Sequence, residues 1–285
     1  MNFNFITKFY KYLYLVLIFI CNLIFMNCVG YVTQSSSQTN ISDNNYEDYN
    51  VDELNSYGSW EHIDRYGRIW RPSVTGSWRP FSYGDWMYDG SDWVWDSYEP
   101  YGWIVYHYGN WYYDPFYGWV WIPGRTWSRA RVIWIKYDNY IGWAPQPPTG
   151  VYWDDPWANS QIDAWNVVEA RDFTREGISQ YRVSRPYKNR DTDNQRIIRQ
   201  QPDRRQIEGY TGRPVQRVEM QRKDVKVGNG KLYRMDPPKE KINQTQPKRE
   251  RVKKEITKTV DKKEVDEKNK PRRVPEKKKE KEEKK

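Results

Sequence analysis

The chain has only two cysteines and two histidines in 285 residues, and their positions exclude whole classes of chemistry. Cys21 and Cys28 both fall within the first 30 residues, so everything after them lacks a thiol for a disulfide, a zinc site or a nucleophile. His62 and His107 stand far apart, and a metal centre would have to be built from carboxylates in a region dominated by aromatic rings. No glycine-rich phosphate loop and no nucleophile–base spacing occurs. No cofactor and no metal are therefore expected, and the chain reads as a non-enzyme. Positive charge is also scarce where the aromatics are: residues 31–165 carry 8 Lys and Arg against 17 Asp and Glu. The balance then reverses, with 17 basic against 10 acidic residues over 166–238 and 20 against 11 over 239–285. The basic pI of about 9.2 thus belongs to the C-terminal part, and the aromatic region is acidic.

The N-terminus has the form of an export signal. Lys8 and Lys11 precede an uncharged run over 12–26, mostly Leu, Ile, Val and Phe. Residues 1–30 are read as a signal peptide or an N-terminal anchor. Cys28-Val29-Gly30 offers small residues before a cut after Gly30, whereas Phe25-Met26-Asn27-Cys28 is similar to a degenerate lipobox in which Cys28 becomes the acylated N-terminus. The run also approaches the ~20 residues that span a bilayer, which leaves an uncleaved anchor open. An extracytoplasmic location follows, in the periplasm or at the outer surface, soluble or held at the membrane. Residues 31–56 are rich in Ser, Asn, Gln, Asp and Glu and read as a polar tether, since they have too little apolar surface to offset the entropy of ordering.

Residues 57–155 carry a tryptophan repeat. Trp70, Trp78, Trp86, Trp95, Trp103, Trp111, Trp119, Trp127, Trp134 and Trp143 follow at steps of 7 to 9 residues, and Tyr-Gly pairs such as Tyr66-Gly67 and Tyr117-Gly118 punctuate them. A step of about eight leaves roughly five residues of strand and three of turn, too short for a helix with its loop. In Asp92-Trp93-Val94-Trp95 and Gly118-Trp119-Val120-Trp121 the tryptophans share one strand face and the valine takes the other. The expectation is an all-β fold, an antiparallel meander of about ten short Trp/Tyr-rich strands in hairpins, as an open sheet or small barrel, followed by a poorly ordered basic C-terminal region. Most of the rings are expected to build the core, because a Trp buries ~150–250 Å². Sixteen tryptophans are more than a small sheet hides completely, so some are expected to form an exposed platform.

The motifs Tyr66-Gly67-Arg68-Ile69-Trp70-Arg71-Pro72, Gly76-Ser77-Trp78-Arg79-Pro80, Tyr106-His107-Tyr108-Gly109-Asn110-Trp111, Tyr117-Gly118-Trp119-Val120-Trp121-Ile122-Pro123-Gly124 and Gly142-Trp143-Ala144-Pro145 resemble the exported Trp/Tyr-rich bacterial proteins of domain of unknown function 6600. The resemblance continues more weakly through Trp165-Asn166-Val167-Val168 and Ile207-Glu208-Gly209-Tyr210-Thr211-Gly212-Arg213. It implies an extracytoplasmic protein of unassigned activity and transfers no catalytic residue. Gly102-Trp103 with Gly109-Asn110-Trp111-Tyr112-Tyr113 is also similar to the aromatic hairpins of choline-binding cell-wall repeats, whose rings hold a quaternary ammonium by cation–π attraction.

Residues 156–185 are expected to close the domain, with Phe173 and Ile178 as packing candidates. Residues 186–238 read as a basic, partly ordered segment, mostly extended or loosely ordered, and 239–285 as a Lys/Glu-rich tail, disordered or transiently helical. Three functions follow in order of preference. The first is a structural or interaction protein of the cell envelope, contacting an envelope protein or a wall polymer, with the membrane reached through the N-terminal anchor or lipid and no nucleic acid as partner. The second is a carbohydrate- or choline-type ligand module using Trp103, Trp111, Tyr112, Tyr113 and Trp119. The third is a glycan hydrolase drawing on Asp85, Asp89, Asp92, Asp96 and Glu99, whose spacing equally fits plain turn residues.

Overall fold

Each hairpin of the domain sets one tryptophan directly opposite another. The computed structural model describes residues 51–75, 78–154, 162–183, 198–228 and 230–268. The export segment with Cys28 and most of the polar tether lie outside these, as do 269–285. All the described residues belong to one of the two units into which the chain divides, Asn45–Lys285.

The first half holds eight strands in four hairpins: β1 (Gly58–Ile63) with β2 (Gly67–Pro72), β3 (Gly84–Tyr88) with β4 (Trp93–Ser97), β5 (Asn110–Asp114) with β6 (Gly118–Ile122), and β7 (Val132–Tyr137) with β8 (Tyr140–Pro145). The facing pairs are Trp60 and Trp70, Trp86 and Trp95, Trp111 and Trp121, and Trp134 and Trp143. The first and third hairpins join edge to edge in the order β1-β2-β6-β5, and Trp70 faces Trp121 across that seam. Four tryptophans therefore form one row across the whole sheet. A third strand of the last sheet, β9 (Asn166–Glu169), adds to β8 and puts the buried Asn166 beside Trp143. Asn166 is fully used: its amide donates to the Pro80 carbonyl at 3.0 Å and its oxygen accepts from the Ser82 hydroxyl at 3.0 Å.

The turns follow from local chemistry. Gly67 and Gly118 open their strands at positive φ, where side chains are strained, after three-residue loops. Asp114 stiffens its loop by accepting from the backbone N–H groups of Phe116 and Tyr117 at 2.8 and 2.9 Å. Asp89 does the same for Ser91 and Asp92, both at 2.9 Å.

The sheets meet through rings. Trp86 lies 4.6 Å from Trp134 and 5.7 Å from Trp143, and Phe173 inserts among Trp86, Trp93, Trp134 and Trp143 at centroid distances of 4.8 to 6.2 Å. Such offset and edge-to-face pairs add about 0.5–1.5 kcal/mol each beyond the area they bury. Phe173 and Ile178 are both fully buried. On the opposite face of the four-stranded sheet Val120 packs with Ile69 and Tyr66 in a second, smaller cluster. The strand-face alternation read from Trp119-Val120-Trp121 is thus present, with both faces apolar.

Two expectations change. The repeat counts turns as well as strands, because Trp78 and Trp127 lie in loops and Trp103 lies in a helical turn, Gly102–Val105, in the connection between β4 and β5. Facing tryptophans are nine or ten residues apart, not eight, since each hairpin returns to the same register. Gly102-Trp103 is consequently not part of a hairpin. Glycine is required there: a Cβ at Gly102 would sit 2.2 Å from that of Ser97, where the helical turn lies against β4. The expected exposed tryptophan platform is also absent from the described residues. Of the fifteen tryptophans described, eleven are buried and Trp60, Trp103, Trp127 and Trp134 are partly buried. Trp157 lies outside the described residues.

The basic segment contributes a helix, Arg204–Thr211, capped by Asp203 and ended by Gly212 in the left-handed conformation, and a hairpin of β10 (Gln221–Val227) with β11 (Gly230–Asp236). A longer helix follows over Lys239–Lys268. These pieces have few apolar residues, but Ile207, Val227, Leu232, Val252 and Ile256 are buried in the main core. Backbone bonds tie them further to the aromatic region: the Tyr108 hydroxyl donates to the Tyr233 carbonyl at 2.8 Å and accepts from its N–H at 3.1 Å, and the Val218 N–H donates to Tyr88 at 2.8 Å.

Trp121→Ala, which empties the centre of the four-tryptophan row, is expected to cost about 3–5 kcal/mol. Phe116→Ala, at a hairpin tip where the ring is 83% exposed, is expected to change stability by less than about 0.5 kcal/mol. Urea unfolding of the two variants checks this, and equal effects would show that the row is not the core.

Candidate functional site

The five acids of the second hairpin and the turn that follows it divide by environment. Asp89 and Asp92 are turn residues. Asp89 also pairs with Arg129 at 2.5 Å, and Asp92 accepts from the Trp93 N–H at 2.7 Å and from Gln201 at 2.5 Å. Asp85, Asp96 and Glu99 are buried. Among the described residues no cation pairs with Glu99, whose side chain is held by aromatic donors: Trp78 Nε1–H at 2.8 Å, the Tyr101 hydroxyl at 2.8 Å and the Tyr106 hydroxyl. Burial outweighs these three donors and pushes its carboxyl up to about 7. Asp85 accepts from the Tyr98 hydroxyl at 2.5 Å and the Gly177 N–H at 2.6 Å, and burial raises it to about 6. Burial likewise raises Asp96 although Arg249 faces it.

Next to these acids opens a cleft of about 290 Å³. One wall is β4 with the following turn, and the other is β11 with the helix Lys239–Lys268. Trp103 stands at its rim, its indole N–H donating to Glu53 at 2.8 Å. Both arginines that line it are paired with carboxylates. Arg249 pairs with Asp96 and donates to the Ser97 carbonyl at 2.7 Å, and Arg234 pairs with Asp236 at 2.5 Å. His107 is kept neutral, its pKa lowered to about 4 by burial, with Nδ1 2.9 Å from the Ser128 carbonyl and its ring stacked on Trp127 at 5.7 Å. Among the described residues no group of three His, Cys, Asp or Glu is placed to hold a metal.

The five aromatics expected to hold a ligand lie in separate surroundings. Trp111 is buried in the tryptophan row and its indole donates to the Val105 carbonyl at 2.9 Å. Tyr113 and Trp119 pair edge to face at 5.4 Å, and Trp119 meets Trp153 at 5.4 Å. Tyr112 lies on the other sheet face against Tyr66 at 5.1 Å. Trp103 alone borders the cleft, and the Arg234 guanidinium lies 5.9 Å from its ring centroid. Sequence reasoning did not single out Glu99 and Asp85 as core acids or Arg249 as the partner of Asp96. The available signal was Tyr98-Glu99-Pro100-Tyr101, an acid enclosed by tyrosines rather than by turn formers.

Residues 51–150 match the family model of DUF6600, a family of unknown function. This is the family whose motifs the sequence resembles. No curated protein and no solved structure matches the chain.

Glu99 and Asp85 have folded-state pKa values raised above their unfolded ones, so their contribution to stability is complete at low pH and is lost as pH rises through about 6 and then about 7. The melting temperature is therefore expected to fall between pH 5 and pH 8, with Glu99→Gln flattening the upper part of that fall and Asp85→Asn the lower. Glu99→Ala, which leaves three buried donors unpaired, is expected to cost about 3 kcal/mol or more. Thermal unfolding across that pH range reads both effects.

Proposed function

We propose that this chain is a non-enzymatic structural and interaction protein of the cell envelope, with the aromatic β-domain as a rigid body and the basic C-terminal part as its electrostatic contact. The observation that carries this reading is the use of the tryptophans: eleven of the fifteen described are buried. Trp70, Trp111, Trp121 and Trp143 each spend the indole N–H on a backbone carbonyl of the same chain. Rings bound in this way fix a shape and leave little aromatic surface for a ligand. Compartment rests on Lys8, Lys11 and the apolar run over 12–26, which fall outside the described residues; among the described residues no helix is long and apolar enough to cross a membrane. The opposite charge of the two halves supports an anionic partner, and the helix Lys239–Lys268 exposes Arg251, Lys254 and Lys258.

A second reading, a carbohydrate- or choline-type module, has one specific support in Trp103 at the rim of the cleft. Arg234 already occupies the neighbourhood of that ring where a quaternary ammonium would sit. A hydrolase reading would draw on Asp92 or Asp96, which are engaged by Gln201 and Arg249.

Co-sedimentation of the full-length protein with purified cell-wall material tests the proposal. The expected result is recovery with the wall that decreases as salt is raised and falls several-fold when Arg251, Lys254 and Lys258 are changed together to Glu, with no soluble wall fragments released. Failure to co-sediment, joined to absence from the envelope fraction of cells, would refute the first reading. Saturable quenching of tryptophan fluorescence by choline or wall sugars, lost in Trp103→Ala, would favour the second.

A further inference from the structure

Away from the acid cluster, two hollows meet at Tyr210. The first, of about 110 Å³, lies between the β7–β8 turn and the helix Arg204–Thr211 and presents Tyr137 and Tyr140. The second is larger and open, about 680 Å³, and lies between residues 171–181, the end of the same helix, and Lys248. Tyr210 borders both, with 49% of its surface exposed, and its hydroxyl reaches the Asp138 carbonyl at 3.4 Å. Together they form one groove with aromatic walls at one end and charge at the other.

The charge is cationic. Arg171, Arg175, Arg213 and Lys248 line the larger hollow against a single lining carboxylate, Glu176. Arg171 and Arg175 pair through Nε–H with Glu169 and Asp172, at 2.8 and 2.9 Å, and their side chains remain 67% and 57% exposed. Arg175 is steadied by the Tyr181 ring, 5.0 Å from its guanidinium carbon. Lys248 bonds to Glu176 at 2.9 Å with one of its three N–H groups. The exposed Arg213 guanidinium has no carboxylate partner among the described residues. Exposed ion pairs of this kind are worth about 0–1 kcal/mol, so they can give way to a stronger anion.

We propose that this groove binds an acidic glycan, a chain of sugars carrying carboxylate or phosphate groups. The arginine forks match the planar or tetrahedral oxygens of such anions. The half-exposed Tyr210 offers a flat ring on which the apolar face of a sugar can rest. Two connected hollows with polar, open walls suit an extended hydrated polymer rather than a compact apolar ligand. This gives a substrate class to the envelope-contact reading and rests on it for the source of the glycan, while the site itself stands on the groove.

Titration calorimetry of the full-length protein with oligogalacturonate, a phosphomannan oligosaccharide, a neutral cello-oligosaccharide and a single-stranded DNA oligonucleotide tests the proposal. At least one acidic glycan is expected to bind, with the tighter one identifying the anion, and the neutral glycan is expected not to. Arg213→Glu, which breaks no ion pair among the described residues, should weaken binding about tenfold or more, as expected for a charged hydrogen bond, and Arg213→Lys should retain most of it. Tyr210→Ala should weaken it as well, whereas Arg65→Glu, at an exposed position in the β1–β2 turn outside the basic C-terminal part, should not. Absence of binding by both acidic glycans, or no effect of Arg213→Glu, would overturn the proposal. Loss of binding on changing Arg251 and Lys254 instead would move the contact to the helix, sinking the groove while leaving the envelope-contact reading in place. Tighter binding of the oligonucleotide than of either glycan would overturn the ligand class.

Discussion

The facing of one tryptophan by another across each hairpin is the contact from which the rest of the domain follows. A five-residue strand exposes only two or three side chains to a core, and these strands have few aliphatic ones, so the burial needed to outweigh chain entropy has to come from large rings. Two indoles across a strand pair supply that area at one register position and fix the register at the same time, because a slip of one residue would turn both to the other face. The four pairs are then assembled twice. Trp60, Trp70, Trp121 and Trp111 align across one sheet, and Trp86, Trp134 and Trp143 close around Phe173, with Trp95 against Trp86 and Trp143.

A core made of Trp and Tyr carries polar atoms inside it, and the structure answers this with chain carbonyls and with acids. The N–H groups of Trp70, Trp111, Trp121 and Trp143 reach backbone oxygens. Those of Trp86 and Trp95 have no hydrogen-bond partner among the described residues, which leaves them to the ring faces around them. Glu99 gathers three aromatic donors at once, and the cost is a buried carboxyl whose pKa is raised. The same acidic half receives the basic one. Arg249, Lys248 and the β10–β11 hairpin dock on it, so the C-terminal part is joined to the aromatic domain by charge as well as by Val252 and Ile256.

The hairpins were legible because their signals are local: Tyr-Gly turns, Asp at loop starts, and alternation of Trp and Val. Their pairing distance was not, since a step of eight in sequence and a return of nine or ten in register differ only by residues that the turns absorb. The fate of Glu99 was hidden because its burial depends on Tyr101 and Tyr106 folding back from a helical turn at Gly102, which the strand period did not announce. The helix at 204–211 had readable caps in Asp203 and Gly212. The β10–β11 hairpin, by contrast, is tied down by the Tyr108 hydroxyl at the Tyr233 backbone and by the Val218 N–H bond to Tyr88 just before it, and no pattern within a Lys- and Arg-rich segment encodes those partners. Arg171, Arg175, Arg213 and Lys248 come from three separate stretches, so their grouping is a property of the fold alone.

The central claim is that the tryptophans are the interior of the domain and not its binding face. Iodide quenching of the intrinsic fluorescence of the native full-length protein tests it most directly. The account predicts an emission well to the blue of free tryptophan, with only a minor fraction of the signal open to iodide until the protein is unfolded in urea. A red-shifted emission with most of the signal quenched in the native state would contradict it.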